Sequence, residues 1–362
     1  MANILIYGGS FDPIHNGHIK VAKKIKKALS IDKVVFELAK APRWKTPNVD
    51  SFHRLNMLRI ALEPYKDFDI DLYEFDSKEE VNYSYNTILY FKKKYPNDKL
   101  FFLIGYDQLN KFHDWYKADE LSKLVQVVAY NRKTNEELNI DNIKKYNIKI
   151  INGPYYNVSS TRIRDFRSID VNPNVLRYIL DNRLYFAKEV QEYLSIDRYN
   201  HSVEVALLAK LIAHANKLND FNAFKIGLLH DIGKEVDLNQ SLVIMNKHFK
   251  EYVNYPKFSY HQFVGSYLAH KDFGVNKKEE LEAIEYHATG KKDMSPLGMV
   301  IYASDKIEPT RGFDSRELIE GMIKDYYQGF VEVLKANKIY LLEHGKDIYN
   351  QLTLDCMNQY LK

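Results

Sequence analysis

Two histidines three residues apart, His15 and His18, close the string Gly8-Gly9-Ser10-Phe11-Asp12-Pro13-Ile14-His15-Asn16-Gly17-His18. An apolar run, Ile4-Leu5-Ile6-Tyr7, comes directly before it, and a Lys-rich amphipathic stretch directly after. A strand that enters a Gly-rich turn and then a helix start aims backbone N–H groups and the positive helix end at a phosphate. The histidines add side-chain donors at the same place. The string is neither the GxGxxG dinucleotide fingerprint nor the GxxxxGK[ST] loop. A plain turn with one capping histidine leaves the Gly pair and the second histidine unexplained.

A second set of chemistry-bearing residues centres on His230-Asp231, inside Leu228-Leu229-His230-Asp231-Ile232-Gly233-Lys234. An adjacent His-Asp pair says little alone; the spacing of other ligand types around it says more. His201 shares helical spacing with Val205, Leu208, Ala209 and Ile212, Asp305 continues Leu297 and Ile301, and His287 follows Leu281 and Ile284. An inward carboxylate among apolar residues is costly unless it is paired or metal-bound. Inward histidines with inward aspartates therefore read as a metal site on a helical scaffold. His261 joins the set by its place in the order, although Tyr260 and Phe263 give it no clear stripe. His214, His248, His270 and His344 fit no such position and read as ordinary side chains.

The elements that must position these residues differ between the two halves. Strand-like runs are expected at 3–7, 33–38, 69–72, 100–104, 126–130 and 148–151, with helices at 19–29, 52–62, 86–94 and 118–124 between them. That alternation predicts a parallel sheet with crossover helices, whose ligands bind beyond the carboxyl ends of the strands. The turns after Tyr7, Ile104 and Tyr130 should converge on one crevice. A helix over 175–185 is expected to end this domain, giving domains 1–186 and 187–362, the second all-α and holding eight of the twelve histidines.

The 362 residues suit two cores, and a formal charge of +4 is too small to argue for a nucleic-acid partner. No arginine-rich stripe or aromatic platform for nucleic acid is present. The single cysteine, Cys356, allows no disulfide framework and fits a reducing, cytoplasmic setting. No signal peptide and no run of membrane-spanning length is expected. A homo-oligomer stays open.

The first half resembles nicotinate-nucleotide adenylyltransferase, a Rossmann-like nucleotidyltransferase, on five motifs in order. The opening string resembles the (H/T)xGH signature of that superfamily, and Pro42-Arg43-Trp44-Lys45 its Pro-x-x-Lys loop. Ser51-Phe52-His53-Arg54-Leu55-Asn56-Met57-Leu58, Phe102-Leu103-Ile104-Gly105-Tyr106-Asp107 and Val158-Ser159-Ser160-Thr161-Arg162-Ile163-Arg164 match further family segments. The resemblance implies adenylyl transfer from Mg²⁺-bound ATP to nicotinate mononucleotide. His15 and His18 would be catalytic. Gly8, Gly9, Ser10, Phe11, Lys45, Arg54, Tyr83, Ser84, Gly105, Asp107, Trp115, Tyr116, Arg132, Ser159, Ser160, Thr161 and Arg164 would bind ATP or substrate. Trp115 and Tyr116 would stack on the pyridine ring. Asn82, Asn86 and Tyr106 depart from the family pattern, which leaves nicotinate against nicotinamide mononucleotide open. Phosphopantetheine adenylyltransferase shares the opening motif, but its closing signature fits worse.

The second half resembles HD-domain hydrolases, and over most of 190–355 the bacterial symmetrical diadenosine tetraphosphate hydrolases. The carrying strings are Tyr286-His287-Ala288-Thr289-Gly290, Met294-Ser295-Pro296-Leu297 and Ser304-Asp305-Lys306-Ile307-Glu308-Pro309-Thr310-Arg311. The resemblance implies one or two transition metals, iron or manganese, on His201, His230, Asp231, His261, His287 and Asp305. Asp231 and Lys234 would be catalytic, with Lys234 and Arg311 on the phosphates of a dinucleoside polyphosphate. Two other readings stay open: hydrolysis of another nucleotide, such as a guanosine alarmone or deoxynucleotide, and a non-catalytic metal-bound sensing or dimerisation module.

Overall fold

Ile4, Leu5 and Ile6 are buried on both faces of the first strand, as the unbroken apolar run requires of a strand covered by helices on both sides. The computed structural model describes residues 1–39, 46–77, 82–131, 138–345 and 350–361. They form two compact units, Met1–Phe186 and Ala187–Lys362.

In chain order the first unit is β1 (Asn3–Gly9), α1 (Asn16–Leu29), β2 (Lys33–Leu38), α2 (Ser51–Leu62), β3 (Phe68–Asp71), α3 (Tyr73–Asp76), α4 (Ser84–Lys94), β4 (Lys99–Ile104), α5 (Tyr106–Asn110), α6 (Ala118–Leu124), β5 (Gln126–Asn131), α7 (Ile140–Lys145), β6 (Lys149–Asn152), α8 (Ser160–Arg164) and α9 (Pro173–Asp181). The six strands pair in the order β3-β2-β1-β4-β5-β6, all parallel. The chain steps one way from β1 to β3, then returns past β1 to lay down β4 to β6. The crevice at that reversal lies beyond the carboxyl ends of β1 and β4, where Gly8-Gly9 and Gly105 sit.

The expected helix over 175–185 is a correction: α9 ends at Asp181. Arg183 and Tyr185 then take positive φ, 50° and 56°, so the chain turns, and the Tyr185 hydroxyl donates to Asp12 Oδ1 at 2.8 Å.

The second unit is helical throughout its described residues: α10 (Phe186–Gln191, beginning on the last residue of the first unit), α11 (Ile196–Ala215), α12 (Asp220–Leu229), α13 (Leu238–His248), α14 (Tyr260–Phe273), α15 (Lys278–Glu285), α16 (Pro296–Ile307), α17 (Arg316–Lys324), α18 (Tyr326–Glu343) and α19 (Gln351–Tyr360). Val205, Leu208, Ala209 and Ile212 of α11 are buried, as are Leu297, Ile301 and Asp305 of α16. The turn after α12 presses so close to α14 that a Cβ on Gly233 would collide with the backbone of His261 and Gly265. Only glycine lets the His230-Asp231 turn approach the helix carrying His261. Among the described residues no helix is long and apolar enough to cross a membrane.

Candidate active sites

In the first unit, His15 caps α1 and His18 lies in that helix's first turn. The His15 backbone N–H donates to His18 Nδ1 at 3.2 Å, and the two rings stack with centroids 3.6 Å apart. Phe11 and Tyr7 set their rings edge-on to His18, at 5.2 Å and 6.0 Å. Gly17 is required by this packing, because a Cβ there would lie 2.9 Å from His15 Nδ1 and 2.8 Å from Val158 Cγ1. The result is a pair of fixed imidazoles at a helix N-terminus, next to the Gly8-Gly9 turn.

Two arginines expected on substrate are held by protein groups. The Arg54 side chain is buried, 1% exposed, and donates to the carbonyls of Ser10 and Ala39 at 2.8 and 2.7 Å. It braces the turn from beneath. Arg164 Nη1 donates to the Asp12 carbonyl at 2.6 Å, and Nη2 to Thr161 Oγ1 at 3.0 Å. Ser160 donates to the Pro13 carbonyl at 2.9 Å, and Ser159 caps α8 by accepting from the Arg162 N–H at 3.1 Å. The closing motif thus clasps the opening one, so that α8 and α1 present their N-terminal ends together. Lys45 and Arg132 lie outside the described residues.

The aromatic pair divides. Trp115 is half-buried on the core, against Phe112 and Phe102, while Tyr116 is 47% exposed and packs on Tyr83 with centroids 4.5 Å apart. Ser84 opens α4 beside Tyr83. Gly105 caps α5, where a Cβ would meet Asp107 Oδ1 at 2.6 Å, so Asp107 folds over the end of β4.

In the second unit, four histidines and two aspartates converge. His230 Nδ1, His287 Nδ1 and His261 Nδ1 lie 2.7, 2.8 and 2.7 Å from the carbonyls of Gly227, Ile284 and Phe258. Carbonyls only accept, so each Nδ1 carries its proton and each Nε2 turns a lone pair inward. His230 Nε2 lies 3.6 Å from Asp305 Oδ1, and His287 Nε2 lies 3.5 Å from Asp231 Oδ1. His201 Nε2 is 3.1 Å from Asp305 Oδ1, with Nδ1 3.0 Å from Glu308 Oε1.

Two ligand groups result, His201-His230-Asp305 and His230-Asp231-His287, each with its donor atoms within 4.8 Å of one another. His230 Nε2 and Asp231 Oδ1 are buried without a hydrogen-bond partner, as donor atoms awaiting a cation would be. Imidazole and carboxylate suit iron, manganese and similar divalent ions, so the residues fit a metal. His261 stands outside both groups, its Nε2 3.2 Å from His287 Nε2 and 3.3 Å from Asp231 Oδ1.

Charge at this centre follows from the packing. Burial alone would raise the Asp231 carboxyl, but His230, His287 and His261 outweigh it and hold it well below the usual range. Burial likewise opposes ionisation of Asp305, and Lys306, His201 and His230 overcome it. Burial and the nearby His287 push His261 down to about 3, so it is neutral.

Residues 6–166 match the cytidylyltransferase-like family, and residues 198–310 match the HD domain. A Mycoplasma genitalium protein named "Probable nicotinate-nucleotide adenylyltransferase/Ap4A hydrolase" is 32% identical over 346 residues, 92% of this chain and 97% of that protein. A Mycoplasma pneumoniae protein of the same name is 31% identical over 91% of this chain and 98% of its own. The nicotinate-nucleotide adenylyltransferase of Bacillus subtilis is 34% identical over 51% of this chain and 99% of its own. The chain belongs to the fused nicotinate-nucleotide adenylyltransferase/Ap4A hydrolase family.

Within this fused family member, the structure adds residues that the spacing did not single out. Arg198 lies one turn before His201, with Nη1 3.5 Å from Asp231 Oδ2. Lys306 Nζ donates to Asp305 Oδ2 at 2.9 Å and to the His287 carbonyl at 3.0 Å. Glu308 backs His201 and accepts from the Thr310 N–H at 2.6 Å. With Lys234, whose Nζ lies 3.2 Å from His261 Nε2, and Arg311, whose Nη2 reaches Asp305 Oδ1 and lies 3.3 Å from His201 Nε2, four cations ring the centre. The string 304–311 contained Lys306 and Glu308, but a one-turn offset gives no sign that Arg198 reaches Asp231.

Proposed function

We propose that the chain is a bifunctional enzyme with one activity in each unit. The first unit transfers the adenylyl group of Mg²⁺-bound ATP to nicotinate mononucleotide. A phosphate oxygen of the mononucleotide attacks the α-phosphorus in line, the bond to the β-phosphate oxygen breaks, and pyrophosphate leaves with nicotinic acid adenine dinucleotide as product. Such a reaction needs positioning and charge neutralisation rather than a protein nucleophile. The stacked His15–His18 pair at the start of α1 carries this reading. His18 Nδ1 accepts from the protein, which leaves its Nε2–H to meet charge growing on the α-phosphate or the leaving pyrophosphate. Tyr83 and Tyr116 offer a stacking face for the pyridine ring.

The second unit hydrolyses dinucleoside polyphosphates, cleaving diadenosine tetraphosphate beside its central bridge to two ADP. The two ligand groups sharing His230 carry this reading. When bound there, divalent metal, iron or manganese, supplies an activated water and neutralises phosphate oxygens. Arg311 and Lys234 hold the phosphate chain, while Lys306 and Glu308 keep Asp305 and His201 in place.

One experiment tests both activities on the full chain. Purified protein is given Mg-ATP with nicotinate or nicotinamide mononucleotide, then diadenosine tetraphosphate with Mn²⁺, and products are identified by chromatography. A preference for nicotinamide mononucleotide would assign acceptor choice to the changes at Asn82 and Asn86. ATP plus AMP from the tetraphosphate would mean asymmetric cleavage.

A further inference from the structure

The first residues after α16, Glu308 to Arg311, are tied to the metal centre. Glu308 Oε1 meets His201 Nδ1 and the Thr310 hydroxyl, and Arg311 Nε donates to the Asp305 carbonyl at 2.7 Å. Gly312 then turns the chain with φ +79°, a value that favours glycine, in open space. Beyond it Asp314 Oδ1 accepts from the Arg316 N–H, and Ser315 is buried at the start of α17. Phe313 is therefore carried on a short arm fixed at both ends. Its side chain is nevertheless 51% exposed, and among the described residues no other aromatic ring packs against it.

An isolated exposed phenylalanine needs no explanation. Phe313 is different because of what it stands beside. Two residues of extended chain reach at most about 7 Å, roughly the span of one ribose between a phosphate and its base. A phosphate held by Arg311 at the rim of the metal centre would thus place its nucleobase within reach of the Phe313 ring. A cation followed two residues later by a half-exposed aromatic side chain can serve the phosphate and the base of one nucleotide.

We propose that Phe313 is the nucleobase-stacking residue of the hydrolase site and that Arg311 holds the phosphates of the same nucleotide. The proposal rests on the phosphohydrolase reading of the helical unit and adds which end of the substrate is recognised and how. Specificity then comes from the π-face of one nucleoside diphosphate half, with purines favoured over pyrimidines.

The test uses the full chain loaded with Mn²⁺, its first site filled with nicotinic acid adenine dinucleotide. ADP and inorganic pyrophosphate are titrated separately by calorimetry. Phe313→Ala should weaken ADP about tenfold, within the range for loss of one base–aromatic stack, and leave pyrophosphate within twofold. Phe313→Trp should restore ADP binding, and both variants should keep full adenylyl transfer. Unchanged ADP affinity, equal weakening of ADP and pyrophosphate, or no ADP binding by the unmodified protein would each overturn the proposal. If the unmodified protein leaves diadenosine tetraphosphate uncleaved, the hydrolase reading falls, whereas a selective loss of ADP in Phe313→Ala would still support base stacking.

Discussion

His18 Nδ1 accepts the backbone N–H of His15 while the two imidazoles stack 3.6 Å apart, so the first helical turn fixes both the tautomer and the plane of His18. A neutral imidazole with Nδ1 accepting carries its proton on Nε2. The backbone bond alone thereby makes His18 Nε2 a donor.

Loss of that donor should be felt in turnover. His18→Ala is expected to lower kcat for adenylyl transfer roughly a hundredfold or more, the scale for one preorganised charge stabiliser. Hydrolysis of diadenosine tetraphosphate by the same preparation should stay at its original rate. Adenylyl transfer at the original rate would leave His18 with a structural role only.

Gly17→Ala probes the same geometry without touching a donor. The added methyl would press on the His15 ring at 2.9 Å and on Val158 at 2.8 Å, so His15 must shift. Adenylyl transfer should fall about tenfold or more, since small misplacements of catalytic groups are costly. Crystallography of the variant should show the His15 and His18 rings no longer stacked.

Much of this was legible in the sequence because it rests on local spacing. The strand, Gly-rich turn and helix around His15 need only neighbours in the chain, and the inward stripes of α11 and α16 need only helical periodicity. Periodicity gives the face a residue occupies but not the atom it will bond. Arg54 sits in a motif shared with substrate-binding proteins, yet its partners are carbonyls at Ser10 and Ala39, far back in the chain. The bond from Arg164 to Asp12 and the approach of Arg198 to Asp231 are equally non-local. The end of α9 was missed for a different reason. Positive φ at Arg183 and Tyr185 has no glycine to announce it, and the anchor, Asp12, lies at the other end of the unit.

Asp231→Ala should separate the two activities. Asp231 is a ligand in one group and lies beside His230, which both groups share. Its removal leaves the histidines facing one another without their carboxylate. Hydrolysis should fall at least about a hundredfold, with bound metal per chain reduced, while adenylyl transfer stays within a few-fold because its residues lie in the other unit. Metal analysis and both assays on one preparation decide this. Full hydrolysis without bound metal would remove the metal-site assignment.

Chelation followed by readdition tests the metal without a mutation. Protein stripped with chelator and returned to Mg²⁺ alone should resume adenylyl transfer but not hydrolysis. Mn²⁺ or Fe²⁺ should then restore hydrolysis, because the imidazole-rich ligand set suits these ions better than Mg²⁺, which prefers oxygen ligands. Proton release on binding near neutral pH should come from His201, which its bonds to Asp305 and Glu308 hold above its ordinary pKa against the effect of burial, whereas His287 is already held neutral, chiefly by burial. Hydrolysis with Mg²⁺ alone at the full rate would overturn this selectivity.

The last prediction concerns Glu37, which lies fully buried in β2 opposite Gly8 and accepts the Glu74 N–H at 2.8 Å. Burial, reinforced by the charges of Glu74 and Asp71, pushes its pKa from 4.5 up to about 9. Between those two values the folded protein keeps a proton that the unfolded chain has released. The contribution of Glu37 is therefore fully present below pH 4.5, shrinks as the pH rises, and is gone once the pH passes about 9. Glu37→Gln keeps an oxygen for the Glu74 N–H and cannot ionise in either state. The variant should melt close to the unmodified protein near pH 5 and measurably above it near pH 8.5, by about 2–4 °C for each kcal/mol released. Tryptophan fluorescence reports this unit alone, because both tryptophans, Trp44 and Trp115, belong to it. A gap between the two melting curves that stays constant with pH would mean that Glu37 is ionised in the fold and that its burial is relieved by a group other than a proton.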